Sequence, residues 1–223
     1  MTNAILLSLQ LAFTTTAILL ALGVPIAWWL SRKRSWGREV VAALVTLPLV
    51  LPPTVLGFYL LLLLSPTNTL GQTLAEWFGG PLTFTFSGLV IGSVIFSLPF
   101  MVLPVRAAFE AIGPRPLEVA ATLRASPMDT FFSVVLPMAR SGLVIGATMT
   151  FVHTLGEFGI VLMIGGNIPG ETQVLSIAIY NYVETLEWHK AHQIAAGMVV
   201  FALVIMLVLS KLNKQPSHGG TVR

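Results

Sequence analysis

The chain has 223 residues, 55% of them hydrophobic and only 9% charged, where an ordinary soluble domain carries about 25% charged residues. That balance excludes a soluble globular protein and leaves little length for a separate soluble domain. The formal net charge of +3 would point to nucleic acid in a soluble chain. Here it reads as a sidedness signal, so we expect no nucleic-acid partner, and the absence of cysteine excludes a disulfide framework.

Five stretches are long and apolar enough to cross a bilayer, at about 4–30, 40–64, 87–109, 141–165 and 194–212. The expected fold is therefore all-α and polytopic, with one transmembrane domain over 1–223. The first stretch is too long for a signal-peptide core and lacks a basic leader and a cleavage site, so it reads as a mature helix. Arg32, Lys33, Arg34 and Arg38 follow it.

The second stretch reads LPLVLPPTVLGFYLLLLL, with Pro48, Pro52 and Pro53 near its middle. Proline at membrane depth breaks the helical hydrogen-bond ladder, and the freed groups need protein or water partners. Broken helices that face a shared cavity are common in transporters. Pro52, Pro53 and Thr54 are accordingly pathway candidates. The third stretch carries Pro99 and Pro104. It also holds the string SGLVIG at 87–92, which recurs at 141–146, and each copy supplies a G-x-x-x-G pair that suits close helix packing. The flanks do not match, so no internal repeat is inferred.

Between the third and fourth stretches lies a charged segment, about 110–140, that includes EVAATLRASPMDTFFSVVLP. Pro116 suits a helix start and Glu118 then falls in the positive first turn. Ser126 is placed to cap a second helix, with Pro127 at its first position and Asp129 three residues on. Helix, turn, helix between two apolar spans makes a compact knob placed to dock on a soluble partner. Glu118, Val119, Ala120, Ala121, Arg124, Ala125 and Ser126 are its candidate contact residues, with Ala120 and Ala121 small enough for close approach.

The fourth stretch contains HTLGEFG, the strongly polar cluster within the spans. His153 and Glu157 are four apart, which places them on one face of a continuous helix. Glu157 reads either as a functional intramembrane acid or as a carboxyl group that braces a helix break between Gly156 and Gly159. We take the second reading, because a carboxylate repels an anion, and keep Glu157 as a pathway candidate. Further on, the turn signals Gly165-Gly166-Asn167 and Pro169-Gly170 precede an amphipathic pattern through Val174, Ile177, Ala178 and Tyr180. Glu187, His189 and His192 do not complete a metal site, and we expect no metal.

Eleven of the twelve lysines and arginines fall on one side of this layout, the exception being Lys190. The positive-inside rule then puts the N-terminus outside, and the knob and C-terminus in the cytoplasm.

The pattern E-A-A-x3-G-x9-I-x-L-P marks the ATPase-docking loop of ABC importer membrane subunits, and the knob resembles it. Glu118, Ala120, Leu136 and Pro137 match at the family spacing, Val119 replaces an alanine and Val134 an isoleucine. Arg124 stands where that family has glycine. Arginine makes a left-handed turn costlier there, so the first helix is expected to run further. The strings GEFGIVLMIGGNIPGETQVLSIAIY and LPLVLPPTVLGFYLL resemble molybdate ABC importer permeases, with sulfate and tungstate permeases close behind. The resemblance implies a type I importer fold in the bacterial inner membrane, a homodimer surrounded by lipid, two cytoplasmic ATPase subunits and an external oxyanion-binding protein. It implies no cofactor in this chain, with ATP and magnesium held by the ATPase. The sequence itself has no G-x-x-x-x-G-K-[ST] and no catalytic constellation, so no enzymatic activity is expected. The rival class is a proton-coupled secondary transporter, for which His153 and Glu157 alone could supply a relay.

Overall fold

Twenty-nine residues without a single charge, Thr2–Leu30, form helix α1. It begins an all-helical chain in a computed structural model that describes residues 2–32 and 35–212. Lys33, Arg34, Lys214 and Arg223 of the basic clusters lie outside the described residues.

Helix α2 (Trp36–Val50) and helix α3 (Pro53–Leu64) meet at a corner of 114°. The second stretch is thus a sharply folded pair rather than one straight crossing. The cause is local: Leu51 ends α2 in an extended conformation, and Pro52 and Pro53 supply no N–H to carry the ladder on. A short helix, α4 (Thr69–Phe78), is capped by Asn68, whose side chain accepts from the Leu70 N–H at 3.1 Å. Helix α5 (Phe86–Ile112) spans in one piece despite Pro99 and Pro104. Then come α6 (Arg115–Thr122), α7 (Pro127–Met138, π-helical over Thr130–Val135) and α8 (Arg140–Gly156), with a 72° corner between the last two. The fourth stretch stops at Gly156 and resumes as α9 (Gly159–Gly165), so it is broken at Glu157-Phe158. Helix α10 (Leu175–Glu184) precedes the long last helix α11 (Trp188–Leu212).

By length and composition α1, α5 and α11 each suffice to cross a membrane, and the count reaches five if the bent pairs α2–α3 and α7–α8 each make one span. At the centre α5 packs against α1 and α8, which also touch each other. Leu19, Ala27, Met101, Val102, Val105 and Val135 are buried in their shared core. The crossing of α5 and α8 is close because of the second SGLVIG string. A Cβ built on Gly142 would stand 2.3 Å from the Ala108 Cβ, and one on Gly146 would stand 3.1 Å from the Met101 carbonyl oxygen. On the other side α3 packs against α9, with Gly57 facing Met163 and Gly159 facing Pro53. The amphipathic reading of α10 holds: Leu175, Ile177 and Ala178 are buried, and its first N–H donates to Ser8 Oγ on α1 at 2.8 Å.

Candidate functional site

Two places gather the candidate residues. The first is the knob made by α6 and α7. Ser126 Oγ accepts from the Asp129 N–H at 3.1 Å, the capping expected from sequence, and Asp129 in turn accepts from the Ser133 hydroxyl at 2.8 Å. The end of α6 differs from expectation. The helix does not run on through Arg124, which itself adopts the left-handed conformation at φ 57°. The Arg124 N–H bonds the Ala121 carbonyl at 3.0 Å and the Ala125 N–H bonds the Ala120 carbonyl at 3.1 Å. This pair of bonds is the Schellman closure that glycine usually serves. The two orphan carbonyls they satisfy offset a left-handed cost of about 1–2 kcal/mol for a non-glycine residue.

Val119, Ala120, Arg124, Ala125 and Ser126 line a cleft of about 700 Å³ between the two helices. Glu118 and Ala121 are not among its lining and are exposed. Ala120 is buried at 5% exposure, so of the two alanines only Ala121 is open to a partner. Beside it stand apolar side chains that no described residue covers: Val119, Leu123, Met128 and Phe132 are all more than half exposed.

The knob is tied to the spans by an aromatic trio. Phe131 packs on Trp28 of α1 at 5.6 Å and on Phe109 of α5 at 6.2 Å, and those two rings meet each other at 5.2 Å. Sequence reading did not find this anchor. Phe131 carries no local signal for it, because its partners are distant in sequence.

The second place is the break between α8 and α9. Pro53, Thr54, His153, Glu157 and Gly159 line a cavity of about 630 Å³ there. The structure thus brings three of the four pathway candidates together, while Pro52 is exposed at the corner beside them. Glu157 is not on the helical face of His153, because α8 ends one residue before it and its backbone is extended. Its side chain is buried at 4% exposure. Among the described residues neither carboxyl oxygen has a well-formed hydrogen bond, though the Ser93 hydroxyl approaches. The brace across the break is the main chain instead: Ser176 Oγ on α10 donates to the Glu157 carbonyl at 2.5 Å. His153 is held firmly. Its Nδ1 lies 2.9 Å from Ser97 Oγ, which lies 2.9 Å from Thr154 Oγ1, and its ring stacks on Phe100 at 3.8 Å.

On the remaining face Glu187 pairs with Lys190, and His189 bonds Gln193. Among the described residues no group of three His, Asp or Glu side chains could hold a metal ion.

Residues 6–213 match the family described as binding-protein-dependent transport system inner membrane component. The molybdenum transport system permease protein ModB of Azotobacter vinelandii is 56% identical over 207 residues, covering 92% of this chain and 91% of that protein. The sulfate transport system permease protein CysT of Salmonella typhimurium is 34% identical over 208 residues, 93% of this chain and 75% of that protein. A chain of the solved bacterial alginate ABC transporter, in complex with an alginate pentasaccharide-bound periplasmic protein, shares the fold with TM-score 0.76 at 19% identity, covering 96% of this chain and 80% of that one. This multi-pass membrane chain, with its capped knob and broken spans, belongs to the family of binding-protein-dependent transport system inner membrane components.

Proposed function

We propose that this chain is the membrane-spanning permease subunit of an ATP-driven importer that receives molybdate from an external binding protein. It is a transport subunit and not an enzyme. The observation that carries the choice of anion is the 56% identity to a molybdenum permease over nearly the whole chain, against 34% to a sulfate permease. Uptake of radiolabelled molybdate into proteoliposomes holding the permease, its ATPase and its binding protein tests it. Uptake should require ATP, survive collapse of the proton gradient and be competed by tungstate more than by sulfate. Uptake driven by the proton gradient without ATP would replace this reading with the secondary transporter.

The working assembly is a homodimer in the bacterial inner membrane with two ATPase subunits beneath it, which bind ATP and magnesium, and the binding protein outside. The whole of 1–223 acts as one transmembrane domain. A second copy is supported by the apolar surface around the α2–α3 corner, where Val50 is 80% and Tyr59 63% exposed. Glu118, Val119, Ala120, Ala121, Arg124, Ala125 and Ser126 form or support the ATPase-docking knob. Pro52, Pro53, Thr54 and Glu157 border the pathway.

The orientation has the N-terminus outside and the knob in the cytoplasm. The chain lacks cysteine, so single cysteines report cleanly. Ser126→Cys should be shielded from impermeant thiol reagents in intact cells, and Thr69→Cys should label. Thr172, on the same outer side, is a poor reporter because it is fully buried and its hydroxyl bonds the Gly165 carbonyl at 2.7 Å. External labelling at Ser126→Cys would reverse the topology.

Phe131 transmits the motion of the knob. Phe131→Ala leaves the exposed docking face intact and empties the seat between Trp28 and Phe109. The permease should still bind its ATPase, but molybdate delivered per ATP hydrolysed should fall several-fold. Unchanged delivery would show that the trio is packing alone.

A further inference from the structure

Building on the oxyanion-permease reading, we propose that His153 is the hydrogen-bond donor that meets the anion inside the membrane, presenting its Nε2–H to an anion oxygen. A tetrahedral oxyanion that leaves water needs donors in place of its hydration shell. Among the described residues no lysine or arginine lines the cavity at the α8–α9 break, Pro53 has no N–H, and both Glu157 carboxyl oxygens are buried. Among the described lining side chains the donors are the His153 ring and the Thr54 hydroxyl.

The hydrogen bonds behind the ring fix which nitrogen carries the proton. Thr154 is buried, and among the described residues Ser97 Oγ is the sole partner of its hydroxyl. Were Ser97 to donate to Thr154, the buried Thr154 proton would have no acceptor. The satisfied order is Thr154 donating to Ser97 and Ser97 donating to Nδ1, which makes Nδ1 the acceptor and puts the proton on Nε2. Nε2 has no protein partner among the described residues. The ring is also clamped, stacked on Phe100 at 3.8 Å and tilted against Phe96 at 4.9 Å. A donor held in place beforehand spends nothing on reorganisation when the anion arrives.

The test uses the reconstituted complex with its ATPase and molybdate-loaded binding protein. His153→Phe keeps an aromatic ring for the stack and removes the donor; His153→Gln restores an N–H. Both should assemble and show binding-protein-stimulated ATP hydrolysis. Radiolabelled molybdate delivered per ATP should fall about ten-fold or more in His153→Phe, the scale of one lost hydrogen bond to a charged group, and should recover in large part in His153→Gln. Full delivery by His153→Phe overturns the proposal, as does an assembled His153→Gln that is no better. If His153→Phe does not assemble, Ser97→Ala decides. It leaves the ring in place and frees the tautomer, so delivery should drop several-fold, and unchanged delivery again overturns the proposal. No ATP-driven uptake by the unaltered complex would remove the permease reading and this proposal with it.

Discussion

Ala121→Trp should leave the permease inserted and dimeric yet unable to hold its ATPase, with transport at background. Ala121 is exposed on α6 beside the bare side chains of Val119 and Leu123. A partner groove shaped to that small residue has no room for an indole, and overpacking costs about 1–3 kcal/mol at a packed contact. The knob presents few contacts, so that loss is a large share of the docking energy. Glu118→Lys should act alongside it, because a cation in the first turn of α6 opposes the helix dipole by about 0.3–1 kcal/mol and reverses any charge pairing with the partner. Ala120→Trp is the contrasting control. Ala120 is buried against α7, so that variant should disrupt the knob itself and lower its resistance to proteolysis. Co-purification of the ATPase and stimulated ATP hydrolysis are the measurements. Full ATPase binding and transport by both Ala121→Trp and Glu118→Lys would show that the knob is not the coupling element.

The other large effect is expected at Gly142. A Cβ there would fall 2.3 Å from the Ala108 Cβ and 2.9 Å from the Pro104 carbonyl oxygen. Neither neighbour is the free end of a flexible side chain, so α8 would have to part from α5. Gly142→Leu should therefore prevent accumulation of folded protein, seen as loss of the monodisperse peak in detergent size-exclusion chromatography. Gly197→Leu on α11 should be tolerated, since among the described residues nothing lies within 4 Å of a Cβ there. Normal accumulation of Gly142→Leu would mean that the α5–α8 crossing is looser than described.

Local chemistry made much of this molecule legible in its sequence. The Ser126 cap, the breaks at Pro52-Pro53 and between Gly156 and Gly159, and the apolar lengths of α1, α5 and α11 each follow from a few adjacent residues. What stayed hidden depends on contacts between segments far apart. Propensity argues against a left-handed Arg124, but two closing hydrogen bonds at the end of α6 outweigh it. No local pattern separates Ala120 from Ala121, because which one turns inward is set by how α7 folds back. Phe131 gains its meaning from Trp28 and Phe109, and the buried position of Thr172 from the carbonyl of Gly165. Periodicity placed Glu157 on the face of His153, yet helix α8 ends one residue too soon for that.

The corner between α2 and α3 has a mechanical consequence. Pro52 and Pro53 bring no N–H to it, and the Pro52 carbonyl is already taken by Val55 and Leu56 at 3.0 and 3.2 Å. Straightening the pair into one helix would cost about 3 kcal/mol for each proline placed in the interior. The pair therefore resists merging into one straight helix. Its α2 arm begins near Arg38, which lines the same crevice as Leu117 at the root of the knob. Its α3 arm begins with Pro53 and Thr54 at the cavity. The corner thus connects the crevice at the root of the knob with the cavity through two arms set at 114° to each other.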